Sequence, residues 1–244
     1  EIGYNYPFNR MVICIETATN LCSVALISSE GVISLKESND LKSHASMLTV
    51  FIDEALKENG IRPRDLEAIA VGKGPGSYTG LRIGVSVAKG IAYAASIPLV
   101  SVGTTLSMFW GMAGRIEEIT GDRENTFFCP MIDARRMEVY NALYDSHGNT
   151  EKQISADIIR EDSFSDIPES KKIIFFGNGA AKCKEVIKRK NIYFQDDFRI
   201  SASHMLKPVY QAIDNRHFED VAYFEPFYLK DFITSIPRKN IFGK

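Results

Sequence analysis

The sequence lacks the residue patterns of a usual metal or redox centre. It has four cysteines without a C-x-x-C pair and four histidines without an H-x-x-x-H pair, so a zinc site of the usual type is not indicated. The cysteines are instead interpreted as reduced core residues of a cytosolic protein. They are Cys14, Cys22, Cys129 and Cys183, and the histidines are His44, His147, His204 and His217.

Long apolar runs and a strong net charge are also missing. No stretch approaches the roughly 20 apolar residues of a membrane span, and no signal peptide is visible, so we expect a cytoplasmic protein without a membrane segment. A formal net charge of −2 does not indicate a chain that binds nucleic acid by itself, because such proteins usually carry a strongly basic face. The local candidate is KCKEVIKRK at 182–190, either a solvated helix face or a basic patch.

What the sequence does contain is the composition of an ordinary globular protein, with 45% apolar and 25% charged residues. Its 244 residues allow one large domain or two smaller lobes.

The stretch 68–95 organises the chain. An apolar run of strand length leads into a Gly-Pro-rich turn, and a helix pattern follows. Ser77 or Thr79 can cap that helix, so its first free N–H groups would face the turn and meet an anion or another backbone. The spacing excludes a Walker A loop, a dinucleotide fingerprint and a nucleophile elbow. The candidate loop residues are Gly72, Gly74, Pro75, Gly76, Ser77, Thr79 and Arg82.

The predicted helix carries two apolar faces. Small residues at four-residue spacing form one row, which permits close approach of another element. That element is either this chain's own sheet or a sister helix, or else another subunit. The second face is expected to cover the sheet. The row is Gly80, Gly84, Ala88 and Ala92, and the second face is Ile83, Val87, Ile91 and Ala94.

The element order predicts a mixed sheet with helices in each half. Three hairpin strands at 12–36 precede a helix at 44–59 capped by Ser43, and the strand, turn and helix of the central stretch follow. Residues 114–125 are charged and mark a boundary. The second half repeats the order with strands at 127–132, 139–144 and 173–176, then a glycine turn at 177–180 and a helix. The predicted segments are 1–10 (an upstream extension), 11–113, 114–225 and a peripheral tail, 226–244.

Several segments resemble the TsaB (YeaZ) family. They are IETAT at 15–19, GPGSYTGLR at 74–82, AKG at 88–90, DAR at 133–135 with EVY at 138–140, and YLK at 228–230. The similarity runs in order from Met11 to the tail, and the GPGSYTGLR run is the most specific part. The resemblance implies a two-lobed α/β fold of the actin-like ATPase (ASKHA, RNase H-like) type.

The resemblance also implies a non-catalytic scaffold in the bacterial machinery that makes threonylcarbamoyladenosine in tRNAs reading codons that begin with A. Such a subunit pairs with a catalytic TsaD subunit and a TsaE ATPase and reaches tRNA through the complex. A homodimer of the isolated chain is an open alternative, because a surface that receives a similar fold can bind a second copy of itself. The assembled complex uses ATP, and no cofactor is assigned to this chain. The implied contact residues on the two first-lobe helices are His44, Met47, Leu48, Phe51, Gly80, Gly84, Val87, Ala88, Ile91 and Ala92.

The sequence departs from the family at the first helix, where many members have His-Ser-Glu and this chain has His44-Ala45-Ser46. Two enzyme alternatives stay open. A nucleotide-binding phosphotransferase would place Glu16, Thr17 and Thr19 at phosphates and 177–179 at the adenosine, although Ala18 stands where a glycine would help. A glycoprotease-like metallopeptidase is less supported, since the paired histidines are missing.

Overall fold

The structure is a computed structural model that describes residues 10–39 and 44–230, with only the backbone given at 44 and 45. The predicted cap Ser43, the side chain of His44, nearly all of the predicted extension 1–10, and the end of the tail from 231 lie outside the described residues.

The first sheet has five strands in the order β3-β2-β1-β4-β5. As predicted, β1 to β3 form an antiparallel meander, while β4 and β5 run parallel to β1. β1 is buried along its whole length, which explains its continuous apolar sequence. The strands are β1 (Val12–Glu16), β2 (Cys22–Ser28), β3 (Gly31–Ser38), β4 (Ala68–Gly74) and β5 (Leu99–Gly103).

The second sheet repeats this arrangement, in the order β10-β9-β6-β7-β8. An antiparallel meander of three strands again lies beside two parallel strands. The expected two-lobed α/β architecture with a repeated element order is therefore confirmed. The strands are β6 (Thr126–Asp133), β7 (Glu138–Tyr144), β8 (Thr150–Ile158), β9 (Lys172–Phe176) and β10 (Ile192–Gln195).

Two helices cover one face of the first sheet, α1 (His44–Glu58) and α2 (Tyr78–Ala95). Two other helices each pack on the sheet that the other half of the sequence forms. α3 (Thr104–Met112) packs its buried Met108 and Phe109 on the second sheet. α5 (Leu206–Asp214) packs on the free face of the first sheet. Boundaries at residues 113 and 225 therefore place α3 and α5 each in the half of the sequence whose sheet they do not cover.

Some predicted elements differ from the structure. Residues 114–125 contain a 3-10 turn, Ala113–Arg115, and the short helix α4 (Ile116–Ile119) rather than only loop. After the turn at 177–180 the chain forms a 3-10 turn, Ala181–Cys183, where a helix was expected. Cys183 and Ile187 of this segment are both buried in the core beneath β6 and β9. β8, β10 and α5 were not predicted.

Candidate functional site

The Gly-rich turn lies where β4 ends and α2 begins. Ser77 is the cap of α2: its Oγ accepts a hydrogen bond from the backbone N–H of Gly80 at 3.3 Å. Thr79, the other candidate, lies exposed in the first turn of the helix. The Gly74–Pro75 peptide bond is cis, and Gly74 has φ +107°.

The backbone that approaches this turn is the chain's own β1–β2 connection. The N–H of Ser77 donates to the carbonyl of Ala18 at 2.6 Å, and a Cβ atom at Gly76 would lie 2.3 Å from that oxygen. Thr17 Oγ1 donates to the Gly80 carbonyl at 2.8 Å. The glycines therefore let two turns of the first lobe pack directly on each other.

Glu16, at the end of β1, is fully buried beside this contact. Its Oε1 accepts from the N–H of Ala18 at 2.7 Å, while Oε2 has no hydrogen-bond partner among the described residues. Burial raises the pKa of Glu16 to about 7, because a charged carboxylate is poorly solvated there. The group is therefore neutral below that pH.

The row of small residues on α2 faces the first sheet, so the expected assignment of the two helix faces is reversed. Gly80, Gly84, Ala88 and Ala92 are all buried. A Cβ atom at Gly80 would lie 2.0 Å from the carbonyl oxygen of Thr17, and one at Gly84 would lie 2.3 Å from Thr17 Oγ1. As surface contacts these four residues are a wrong prediction, because the row is what brings α2 close to its own sheet.

The other predicted contact residues divide into two groups. Leu48 and Phe51 on α1 are buried in the core of the first lobe and give a partner no free surface. Met47, Val87 and Ile91 are half-buried at the outer edge of that core, and their proposed role stays a prediction.

The outer surface of α1 and α2 is partly apolar. Val50 on α1 is 43% exposed and Tyr93 on α2 is 82% exposed, while Ile83 on α2 is half-buried against the core of the first lobe. Gly90 is exposed on the same helix, and nothing lies within 4 Å of where its Cβ would be. A glycine inside a helix costs about 0.5–1 kcal/mol relative to alanine, and no contact within the described chain explains this one.

A cleft of about 470 Å³ separates the two lobes next to the Gly-rich turn. The tail from 226 was expected to be peripheral, but residues 225–230 cross this cleft. The ring of Tyr228 lies 4.8 Å from the ring of Tyr78, and Arg82 Nε donates to the Tyr228 hydroxyl at 3.2 Å. The crossing was not predictable, because these contacts join residues far apart in the sequence.

The positions named for a nucleotide divide between the interior of the chain and the cleft, and Thr19 lines the cleft. Thr17 and Glu16 are buried and directed into the first lobe. In the second turn, a Cβ at Gly177 would lie 2.5 Å from the Met131 carbonyl oxygen, and Asn178 Oδ1 accepts from the N–H of Asp133 at 3.1 Å. This second turn packs on β6, while the exposed Asn178 also lines the cleft between the lobes.

The basic run 182–190 is bonded within the second lobe only in part, since Lys184, Lys188 and Lys190 are exposed. Arg189 donates to the backbone carbonyls of Phe164, Ile167, Pro168 and Lys171, and Lys184 pairs with Asp196 at 2.9 Å. The interpretation as a helix face is wrong, since no helix forms there.

The predicted buried state of all four cysteines is confirmed. Within the described ranges, no group of three or more His, Cys, Asp or Glu side chains is placed to hold a metal ion. No helix in the same part of the chain is long and apolar enough to cross a membrane.

Comparison with known proteins identifies the family. The family model described as TsaD, tRNA N6-adenosine threonylcarbamoyltransferase, matches residues 37–236. The tRNA threonylcarbamoyladenosine biosynthesis protein TsaB of Escherichia coli K12 is 33% identical over 159 residues, which are 62% of this chain and 64% of that protein. The protein of the same name from Bacillus subtilis 168 is 28% identical over 179 residues, or 72% and 74% of the two chains.

The solved structures agree on the fold. YeaZ from Pseudomonas aeruginosa superimposes with a TM-score of 0.76 at 21% identity, covering 90% of this chain and 99% of that one. The aligned part spans just under two thirds of the E. coli relative. The chain belongs to the family that the matching model describes, and its relatives identify it as a member of the TsaB (YeaZ) family.

Proposed function

We propose that this chain is a non-catalytic subunit of the bacterial complex that forms N6-threonylcarbamoyladenosine in tRNAs reading codons that begin with A. It binds and supports a TsaD-like catalytic subunit. The names of its relatives in E. coli and B. subtilis support the process, and the matching family model supports a partner of related fold.

The observation that carries the scaffold role is the outer surface of α1 and α2. Val87 and Ile91 are half-buried, Tyr93 projects into solvent, and Gly90 leaves room for a close approach. Tyrosine and exposed apolar side chains of this kind form the centres of many protein interfaces. A related fold presenting a similar helix pair would pack on this surface, and a second copy of this chain would do so when the partner is missing.

The further partners follow from the same proposal. A TsaE-like ATPase joins the pair, tRNA is reached through the complex, and ATP is used by the assembly rather than by this chain. The burial of Glu16 and Thr17 supports this division, since these two side chains are directed into the first lobe.

The test is association with the TsaD-like subunit, measured by calorimetry and light scattering. Val87→Arg places a charge in the middle of the docking surface, and we expect at least a 30-fold loss of affinity, on the order of a typical hot-spot effect. Ile158→Arg is the matched control, because Ile158 is an apolar side chain 61% exposed on β8 of the other lobe. Equal affinity for the Val87→Arg variant and the unmodified chain would contradict the proposed surface.

A bulky residue at Ala88 does not test docking. Ala88 is completely buried against the first sheet, so Ala88→Trp would disrupt the lobe itself and lower its stability whatever the partner does.

A further inference from the structure

The C-terminal segment first runs along the first lobe. After α5, the N–H of Glu219 donates to the carbonyl of Leu99 on β5 at 2.8 Å. Lys89 Nζ on α2 then donates to the carbonyls of Ala222 and Phe224, at 3.2 and 2.8 Å. The segment therefore reaches the cleft already fixed to two elements of the first lobe.

Residues 225–230, called the strap here, then pass over the end of β4. The N–H of Phe227 donates to the Lys73 carbonyl at 2.7 Å. A Cβ atom at Gly74 would lie 2.8 Å from the Phe227 carbonyl oxygen, so the strap comes this close only because residue 74 has no side chain. Its positive φ also favours glycine at this position.

Aromatic and charged contacts continue the strap to the other lobe. The Arg82 guanidinium lies 4.3 Å from the centre of the Tyr78 ring, and the Tyr228 ring packs against the same ring. Two residues further on, Lys230 Nζ forms an ion pair with the carboxylate of Glu138 on β7. The strap thus has one end bonded to the first lobe and the other end bonded to the second.

The strap also divides the space between the lobes. Phe227 lines the cleft of about 470 Å³ and, on its other side, a cavity of about 850 Å³ bordered by β5, β8 and α5. Lys73 and Gly74 border the larger cavity, whereas Pro75 and Gly76 border the smaller one. The wall between them lies where the strap crosses β4.

We propose that the strap is a latch that sets how far the two lobes open, and that its release joins the two cavities into one continuous cleft. The strap contacts Lys73, Tyr78 and Glu138 through Phe227, Tyr228 and Lys230. These three strap residues lie within four consecutive positions, so their contacts form and break together. The geometry of the cleft is thereby set by contacts that residues 225–230 make with both lobes.

Amide hydrogen exchange followed by NMR on the full chain tests whether the strap is one unit. Lys230→Glu replaces the ion pair by repulsion, and we expect the Phe227 amide to exchange about two- to fivefold faster, the range for an exposed ion pair. Tyr228→Ala should accelerate it about three- to tenfold, because an aromatic contact is lost. The double reversal Glu138→Lys with Lys230→Glu should restore the original rate.

Lys184→Glu is the matched control, since it reverses a lysine paired with Asp196 away from the strap. The proposal is overturned if Lys230→Glu leaves the Phe227 amide unchanged, or if the control accelerates it equally. Exchange rates are compared only between variants of equal thermal stability, so that exchange through global unfolding does not contribute to the difference.

A distance measurement tests the opening of the lobes. Spin labels at Ser86→Cys on α2 and Arg136→Cys after β6 occupy exposed positions, while the native cysteines are buried and stay unlabelled. We expect one narrow distance distribution in the original background and a broader, longer one with Lys230→Glu. Identical distributions would show that the strap does not control the opening.

Discussion

The carboxylate of Glu16 fills the space beside Gly72. A Cβ atom at residue 72 would lie 2.5 Å from Glu16 Oε2 and 2.8 Å from Oε1. The buried carboxyl group of Glu16 and the bare backbone of β4 are therefore two parts of one packing arrangement at the centre of the first sheet.

Gly72→Ala should lower the free energy of unfolding by about 1–3 kcal/mol, the usual cost of overpacking a core. Urea denaturation measures this cost. Gly114→Ala is the control, because nothing lies within 4 Å of its added Cβ and its φ is not positive. Equal stabilities of the two variants would contradict the close packing of Gly72 on Glu16.

Glu16→Gln should change how stability depends on pH. The Glu16 carboxyl has a pKa near 7 when folded and an ordinary value of 4.5, so the folded state holds its proton longer than the unfolded state. The unfolding free energy of the original chain therefore falls as pH rises from about 4.5 to 7, by an amount on the order of 3 kcal/mol. The variant should lack this decrease and gain relative stability at pH 8. Parallel curves for the two proteins between pH 4 and 8 would rule the idea out.

Two glycines of α2 should respond in opposite ways to alanine. Gly80→Ala drives a Cβ into the Thr17 carbonyl and should destabilise the chain by about 1–3 kcal/mol. Gly90→Ala meets open space and should stabilise the chain by about 0.5–1 kcal/mol. Thermal unfolding of both variants measures the contrast. A loss of stability in the Gly90 variant would mean that its backbone conformation is under a constraint other than packing.

Ser77→Ala should cost about 0.5–2 kcal/mol, because it removes the side-chain acceptor at the start of α2. Thr79→Ala provides the comparison, since Thr79 is exposed and a residue of the first turn. Chemical denaturation at neutral pH separates the two. A larger loss of stability for Thr79→Ala than for Ser77→Ala would show that Thr79, and not Ser77, caps α2.

The fold was predictable where local signals are strong. The strands of the first meander and β6 and β7 of the second were predicted between turn residues, and α1 and α2 have clear helical periodicity. β8 is largely polar and partly exposed, so it has no continuous apolar run, and β10 has only four residues at a sheet edge, which is too short for a clear strand pattern. The apolar spacing of Leu206, Val209 and Ile213 was a usable signal for α5 that was not recognised.

The candidate site was less predictable. Periodicity located both apolar faces of α2, but it does not say which face packs on the sheet. The small residues face the sheet because they allow the shortest distance between α2 and the strands. The strap depends on contacts such as Arg82 with Tyr228, which are 146 residues apart and leave no local pattern.

Because α5 lies late in the sequence, it affects the order in which the two lobes are completed during synthesis. α5 and Met205 cover Val12, Cys14 and Val100 on one face of the first sheet, although they follow the second lobe in the chain. Synthesis proceeds from the N-terminus, so the strands of the second lobe are synthesised while this apolar face is still uncovered. The half of the molecule that is translated first is thus the half that is completed last, and a nascent chain stopped before α5 would expose a surface prone to aggregation.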